Sequence, residues 1–169
     1  MDVVNALQSL VAEPELHARI DSAHLLHRAA FRQEMRLGAR RALVQDDLDV
    51  TLAGARIRSL WLVSHRGLRR GGVRRHPESS VVLVAWRGAG LVLLRAEGAR
   101  RSVTLVPPGA APGTEGDRWV VVEAGTPYDT LADETSWHVL AFHSHAATGL
   151  RRQDETPDGW VEKLEEADS

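Results

Sequence analysis

The sequence predicts a mostly β fold, a small barrel of short strands with an N-terminal α-helical extension. Three observations predict it. Short apolar runs recur between about residue 57 and residue 142, each bounded by glycine or proline. No strand–helix–strand alternation appears, which removes the doubly wound nucleotide-binding folds. The first forty residues instead keep a helical period.

Each element follows from its own residues. Val3, Val4, Leu7, Leu10 and Val11 recur at helical spacing. Pro14, between Glu13 and Glu15, suits the first turn of a second helix, because its missing N–H has no partner there in any case. Leu16, Ile20, Ala23, His27 and Phe31 continue that helix on one face, and Gly38 is a reasonable stop. Neither helix is long enough to persist alone in water, so both need a surface to cover. Asp46, Asp47 and Asp49 read as a loop or strand entry; the glycine and terminal glutamate of a calcium loop are missing. Ile57, Ser59, Trp61 and Val63 alternate with their neighbours as a strand does. Arg66, Arg69, Arg70, Arg74 and Arg75 give a basic, glycine-rich stretch read mainly as a solvated loop. Apolar strands follow at Val81–Trp86, Leu91–Leu94, Ser102–Val106, Trp119–Val122 and Trp137–Phe142, separated by Gly88-Ala89-Gly90, Glu97-Gly98, Pro107–Gly116 and Gly125-Thr126-Pro127. The expected organisation is a helical extension over 1–45, a barrel over 46–150 and a polar C-terminal tail over 151–169. In that tail Trp160, Val161 and Leu164 are able to pack as a short helix or strand.

Composition narrows the classes. The formal net charge is −2 over 169 residues, and only eight are aromatic Phe, Trp or Tyr (2, 5 and 1), so neither nucleic acid nor an anionic membrane is expected as a partner. Cysteine is absent, which excludes disulfides, thiolate metal sites and a cysteine nucleophile. The start, Met1 to Asn5, lacks the basic and apolar regions of a secretory signal, and no apolar run reaches bilayer length; the expected location is cytoplasmic.

Two segments carry a family resemblance. Gly72-Val73-Arg74-Arg75-His76-Pro77, continuing through Val81–Val84 to Arg87-Gly88, resembles the first cupin motif of a glycine, two histidines one residue apart, a glutamate and a closing glycine. Val121-Val122-Glu123-Ala124-Gly125-Thr126-Pro127-Tyr128, followed by Trp137-His138, resembles the second. Over roughly residues 55 to 145 the layout is similar to the RmlC-like small cupins of surface-polysaccharide gene sets. The resemblance implies a double-stranded β-helix, or jelly-roll barrel, and a homodimer. It also implies a metal site of three imidazoles with a carboxylate, and this chain departs from that pattern. The first histidine position falls on Arg74, the second is kept as His76, the carboxylate position falls near Val81, and the third histidine becomes Tyr128. One imidazole beside an arginine does not hold a divalent ion, so no metal cofactor is expected.

Arg74 and His76, two apart on one strand face, would then meet Tyr128 inside the barrel. His76 and Tyr128 are the candidate proton-handling pair, and Arg74 the anchor for an anion, with Trp86 and His138 assigned to the substrate wall. This set suits a small polar, anionic metabolite and acid–base chemistry of the isomerase or epimerase kind. Two other readings stay open. His65, His143 and His145 are candidates for a relocated iron, manganese or zinc site in a dioxygenase-like enzyme, since His143 and His145 share a strand face. A catalytically silent cupin acting through its surface is the third. His17, His24 and His27 fall near one helical face and read as boundary residues beside Leu16, Ile20 and Phe31.

Overall fold

Alternating runs and fully apolar runs mark strands with different surroundings, and that difference builds the molecule. The computed structural model describes residues 6, 9–33, 38–44, 48, 50–52, 54–67, 72–96, 98–111, 113–132 and 136–165. Among these, the long helix is α1 (Pro14–Gln33), and the strands are β1 (Gly38–Val44), β2 (Val50–Leu52), β3 (Ala55–Ile57), β4 (Ser59–Arg66), β5 (Arg74–Arg75), β6 (Val81–Arg87), β7 (Gly90–Ala96), β8 (Ala99–Leu105), β9 (Trp119–Val122), β10 (Tyr128–Ala132), β11 (Ser136–His143), β12 (Arg151–Thr156) and β13 (Gly159–Leu164). Ser9 to Val11 are also helical. Val3, Val4, Leu7, Asp46, Asp47, Asp49, Arg69 and Arg70, all given readings above, lie outside the described residues.

Two antiparallel sheets form the barrel. One runs β1-β4-β11-β6-β9 and the other β13-β12-β5-β10-β7-β8, while β2 and β3 pair as a separate hairpin. Neighbours in a sheet are mostly distant in the chain: β4 and β6 flank β11, and β5 lies between β12 and β10. This is the mostly β, double-sheet jelly roll that the sequence predicts, with its helical extension.

One element differs from expectation. Gly38 does not end a helical extension but opens β1, whose residues pair with β4 from Gly38↔His65 onward. In the polar tail, Trp160, Val161 and Leu164 take the strand alternative as β13, which pairs with β12, and β12 joins the second sheet through Gln153↔Arg75 and Asp154↔Arg74. Every position of β13 except Trp160 is exposed, so its sequence carries little apolar alternation.

The side chains separate into two cores. Trp61, Leu83, Val92, Leu105, Val120, Trp137 and Val139 fill the space between the sheets. Ile20, Leu60, Leu62, Val82, Leu140 and Phe142 pack on the opposite face of the first sheet, beneath α1. The helix presents Leu16, Ile20, Ala23, His24, His27 and Phe31 as one buried stripe. Each fully buried Leu or Phe of this layer contributes about 1.5–3 kcal/mol relative to exposure. The first sheet is therefore covered on both faces, which is why β6 and β11 read as nearly continuous apolar runs.

The Gly88-Ala89-Gly90 turn is required by contact. A Cβ on Gly90 would sit 2.4 Å from the Trp137 ring, and one on Gly88, at φ +73°, would sit 2.3 Å from the Ser136 carbonyl oxygen. Trp137 is 0% exposed, so a Cβ at Gly90 would have to displace a packed indole. Gly90→Ala is expected to destabilise the protein by about 1–3 kcal/mol through overpacking, read as a lower urea midpoint; an unchanged midpoint would show that the indole has room to shift.

Candidate functional site

Inward-facing positions of both sheets converge on one polar pocket. On β4 the inward set is Trp61, Val63 and His65, and on β11 it is Trp137, Val139, Ala141 and His143. The second sheet adds Arg74 from β5 and Tyr128 and Thr130 from β10; Tyr128 and Arg74 are register partners. His76 follows β5 into the same space, Arg40 enters from β1, and Glu165 enters just past β13. The cavity left among these groups is small, about 20 Å³.

The contacts define a chain of proton-carrying groups. Tyr128 Oη lies 3.4 Å from His76 Nδ1, and His76 Nε2 lies 3.3 Å from Glu165 Oε1. Glu165 Oε2 accepts from Arg40 and, at 2.8 Å, from Arg152 Nη1. The Arg74 guanidinium lies 6.0 Å from the Tyr128 ring centre. His143 meets His76 edge-on, with ring centres 4.7 Å apart, and lies 3.4 Å from Ser79 Oγ. His65 stacks on Trp137 and lies 3.4 Å from Thr130 Oγ1.

Burial sets the protonation states. It pushes Tyr128 up to about 12, against the opposing pull of Arg74, so the phenol keeps its proton. It lowers His76, a fall that Glu165 opposes and Arg74 and Arg40 reinforce. It lowers His65 to about 3 and takes His143 well below the ordinary imidazole value. Burial alone would raise Glu165, but the His76 hydrogen bond and the Arg40, His76 and Arg74 charges outweigh it and hold the carboxyl at about 2. At neutral pH the pocket therefore contains a carboxylate, guanidinium groups, neutral imidazoles and a protonated phenol.

Arg74, His76 and Tyr128 thus lie in one pocket, and two other assignments are corrected. His138 and Trp86 do not line it. His138 occupies the opposite face of β11, where its Nδ1 lies 2.7 Å from Ser64 Oγ and its ring lies 4.2 Å from that of His24. Trp86 packs beside His17 of α1, with ring centres 5.3 Å apart. The reason is alternation: Val139, Ala141 and His143 face the barrel, so the residues between them face the helix. His27 Nδ1 also lies 2.7 Å from Ser64 Oγ, so one hydroxyl serves two imidazoles and must donate to one and accept from the other. His24 and His27 are buried here while His17 is exposed beside Asp21, so the boundary reading holds for the first two.

The relocated triad of His65, His143 and His145 also does not assemble. His145 Nδ1 lies 2.9 Å from the Ala146 carbonyl oxygen and outside the pocket. No group of three His, Asp or Glu side chains among the described residues is arranged to hold a metal ion. The pocket itself does not fit one. Its carboxylate is already bound to two guanidinium groups, and Arg40 and Arg74 share the space with the imidazoles, so a divalent cation would meet fixed positive charge. Sequence reasoning missed Arg40 and Glu165, since Arg40 sits in a run assigned to the helical extension and Glu165 in an acidic tail.

Comparison with known proteins adds likeness of fold. No family model and no curated protein matches the sequence. Among solved structures the chain is similar to an oxalate oxidase in complex with the substrate analogue glycolate, at 14% identity and TM-score 0.43, covering 51% of this chain and 41% of that one. It is similar to the DMSP lyase DddQ from Ruegeria pomeroyi DSS-3, at 17% identity and TM-score 0.46, covering 64% and 47%. It is also similar to the Drosophila melanogaster CENP-C cupin domain, at 12% identity and TM-score 0.43, covering 56% and 72%. The chain matches less than half the length of the first two. By its own sheet order, the fold is a double-sheet jelly-roll barrel, the architecture that the cupin resemblance implies. None of the described helices is long and apolar enough to cross a membrane.

The buried imidazoles make stability depend on pH. His65 and His138 both titrate near 3 in the folded chain and near 6.5 when unfolded. Below 6.5 the unfolded chain therefore binds more protons, and stability is lost as pH falls from 6.5 toward 3. Each contributes about 1.4 kcal/mol per pH unit over that window, so the two together should remove about 3 kcal/mol by pH 5.5. Urea denaturation at pH 7.5 and 5.5 measures this. His138→Asn should shallow the fall by about one proton's worth, and a flat profile would contradict neutral burial.

Proposed function

We propose that this cupin-fold protein binds a small polar, anionic metabolite in its barrel pocket, without a metal, and moves a proton on it with His76 and Tyr128. One observation carries the reading: Arg40 and Arg74 enter the same interior space as neutral imidazoles and a phenol. Guanidinium groups recognise carboxylate and phosphate oxygens through fixed forks of donors, and they gain strength where water is excluded.

The paired proton groups suggest the chemistry. A neutral imidazole accepts a proton and a phenol held at about 12 supplies one. The C–H bond beside the anionic group would break toward His76, and the negative charge left on the substrate would be held by Arg74. Tyr128 would return a proton to carbon and regain one from His76 across their 3.4 Å contact. Protons balance, no electrons leave the substrate, and the outcome is an isomer or epimer. A homodimer is proposed as the working assembly.

A thermal-shift screen of carboxylated and phosphorylated metabolites tests binding. A true ligand at about a hundred times its Kd should stabilise by about 2.7 kcal/mol, or about 5–10 °C for a domain of this size. Arg74→Gln should abolish that response while leaving a folded protein; a full response in the variant would remove Arg74 from the site. Elemental analysis of protein purified without added metal should find less than stoichiometric transition metal. With a ligand identified, incubation in D2O should add one mass unit to it, and Tyr128→Phe should slow that exchange at least a hundredfold without weakening binding. Exchange unaffected by Tyr128→Phe would take the phenol out of the chemistry.

A further inference from the structure

Among the described residues Glu165 is the carboxylate that lines the pocket, and it follows an edge strand of the second sheet. Its side chain is 8% exposed, with Oε1 on His76 and Oε2 on Arg40 and Arg152. Those partners come from both sheets: Arg40 from the first, Arg152 from β12 of the second, and His76 from the turn after β5. Glu165 also donates its backbone N–H to the Leu150 carbonyl oxygen at 2.8 Å. The strand before it, β13, is an edge strand paired only to β12, with Val161 and Leu164 turned outward at 45% and 56% exposure. Little apolar burial resists fraying of this end, whereas the pocket behind it is walled by the barrel core.

Glu165 fills the positions that a ligand's carboxylate would take against His76, Arg40 and Arg152. The positions of its two oxygens describe what would replace it: a planar group with one oxygen toward an imidazole and the other toward a pair of guanidinium groups. We propose that Glu165 is a built-in carboxylate occupying the ligand's anchor, and that the pocket takes small monocarboxylates, which enter by displacing Glu165 as the end of β13 frays. The inference rests on the anion-pocket reading above and deepens it by naming the ligand class and the gate. A tethered competitor acts as a ligand at roughly millimolar effective concentration, so it sets a threshold below which the pocket stays closed. Displacement breaks no covalent bond; the ionised glutamate moves into water and the incoming carboxylate takes over its ion pairs.

Chemical rescue tests this on the full chain. Glu165→Ala should lower Tm, and formate, acetate or propionate should restore it, while giving the wild type a shift at least tenfold weaker in half-saturating concentration. Glu165→Gln, which keeps the side-chain volume and loses the charge, should bind acetate with intermediate strength and serves if the alanine variant does not fold. In the wild type, saturating acetate should raise amide hydrogen exchange at 159–165 while lowering it in β4 and β11. Equal carboxylate binding by wild type and the Glu165 variants would overturn the gate and leave the anion pocket standing. Stabilisation by inorganic phosphate alone, at matched ionic strength, would overturn the carboxylate class. No response to any anion in wild type or variants would overturn both this inference and the pocket reading.

Discussion

Arg40, Arg74 and Glu165 bring formal charge into a barrel otherwise filled with valine, leucine, alanine and tryptophan. An unpaired charge in such surroundings is disfavoured by several kcal/mol, so the groups around it must be arranged to compensate. Glu165 bridges Arg40 and Arg152, Arg152 also pairs with Asp154, and Asp154 pairs with Lys163 on the outer strand. This ladder ties the C-terminal hairpin to both sheets. The same positive field reinforces the depressed pKa of His76 and His65. The hairpin's attachment, the neutral imidazoles and the selectivity of the space thus share one cause.

The barrel was legible because turn chemistry and apolar runs survive in any strand whose two faces are covered. Val81–Trp86 and Trp137–Phe142 announce themselves by continuous hydrophobicity, and Gly90 marks the point where backbone must pass against Trp137. The same continuity hid orientation. In β11, Trp137, Val139 and Ala141 face the barrel while Leu140 and Phe142 face α1, and both sets are apolar. Nothing in the pattern tells which face His138 takes, and its assignment to the substrate wall failed for that reason, as did that of Trp86. Arg74, His76 and Tyr128 were placed together by motif landmarks, because a turn with a fixed glycine constrains register better than alternation does.

Arg40 and Glu165 were beyond such reasoning for a different cause. A buried arginine in Gly38–Val44 and a buried glutamate at the end of an acidic, exposed hairpin look like solvated residues in one dimension. Their burial exists only because β1 pairs with β4 and β12 pairs with β5, contacts between segments far apart in the chain. Charged residues become informative only after topology has brought their partners together. The sequence offered Glu165 as one of several glutamates in its tail, and pairing across the barrel singles it out.

The division of polar groups between the two faces of β11 separates binding from support. His143 faces the pocket, while His138 lies under α1 with Ser64, His24 and His27. The second set feels the charges of Arg28, Arg87 and Asp21, and it fixes the helix against the sheet through a shared hydroxyl. The pocket set joins guanidinium groups and a carboxylate by direct contact. A fixed guanidinium such as that of Arg74 supplies positive charge to an anion. It does so without polarising water or accepting electrons as a metal would. A guanidinium, an imidazole and a phenol hold charge and relocate protons, and those are the steps the isomerase-type proposal asks of Arg74, His76 and Tyr128.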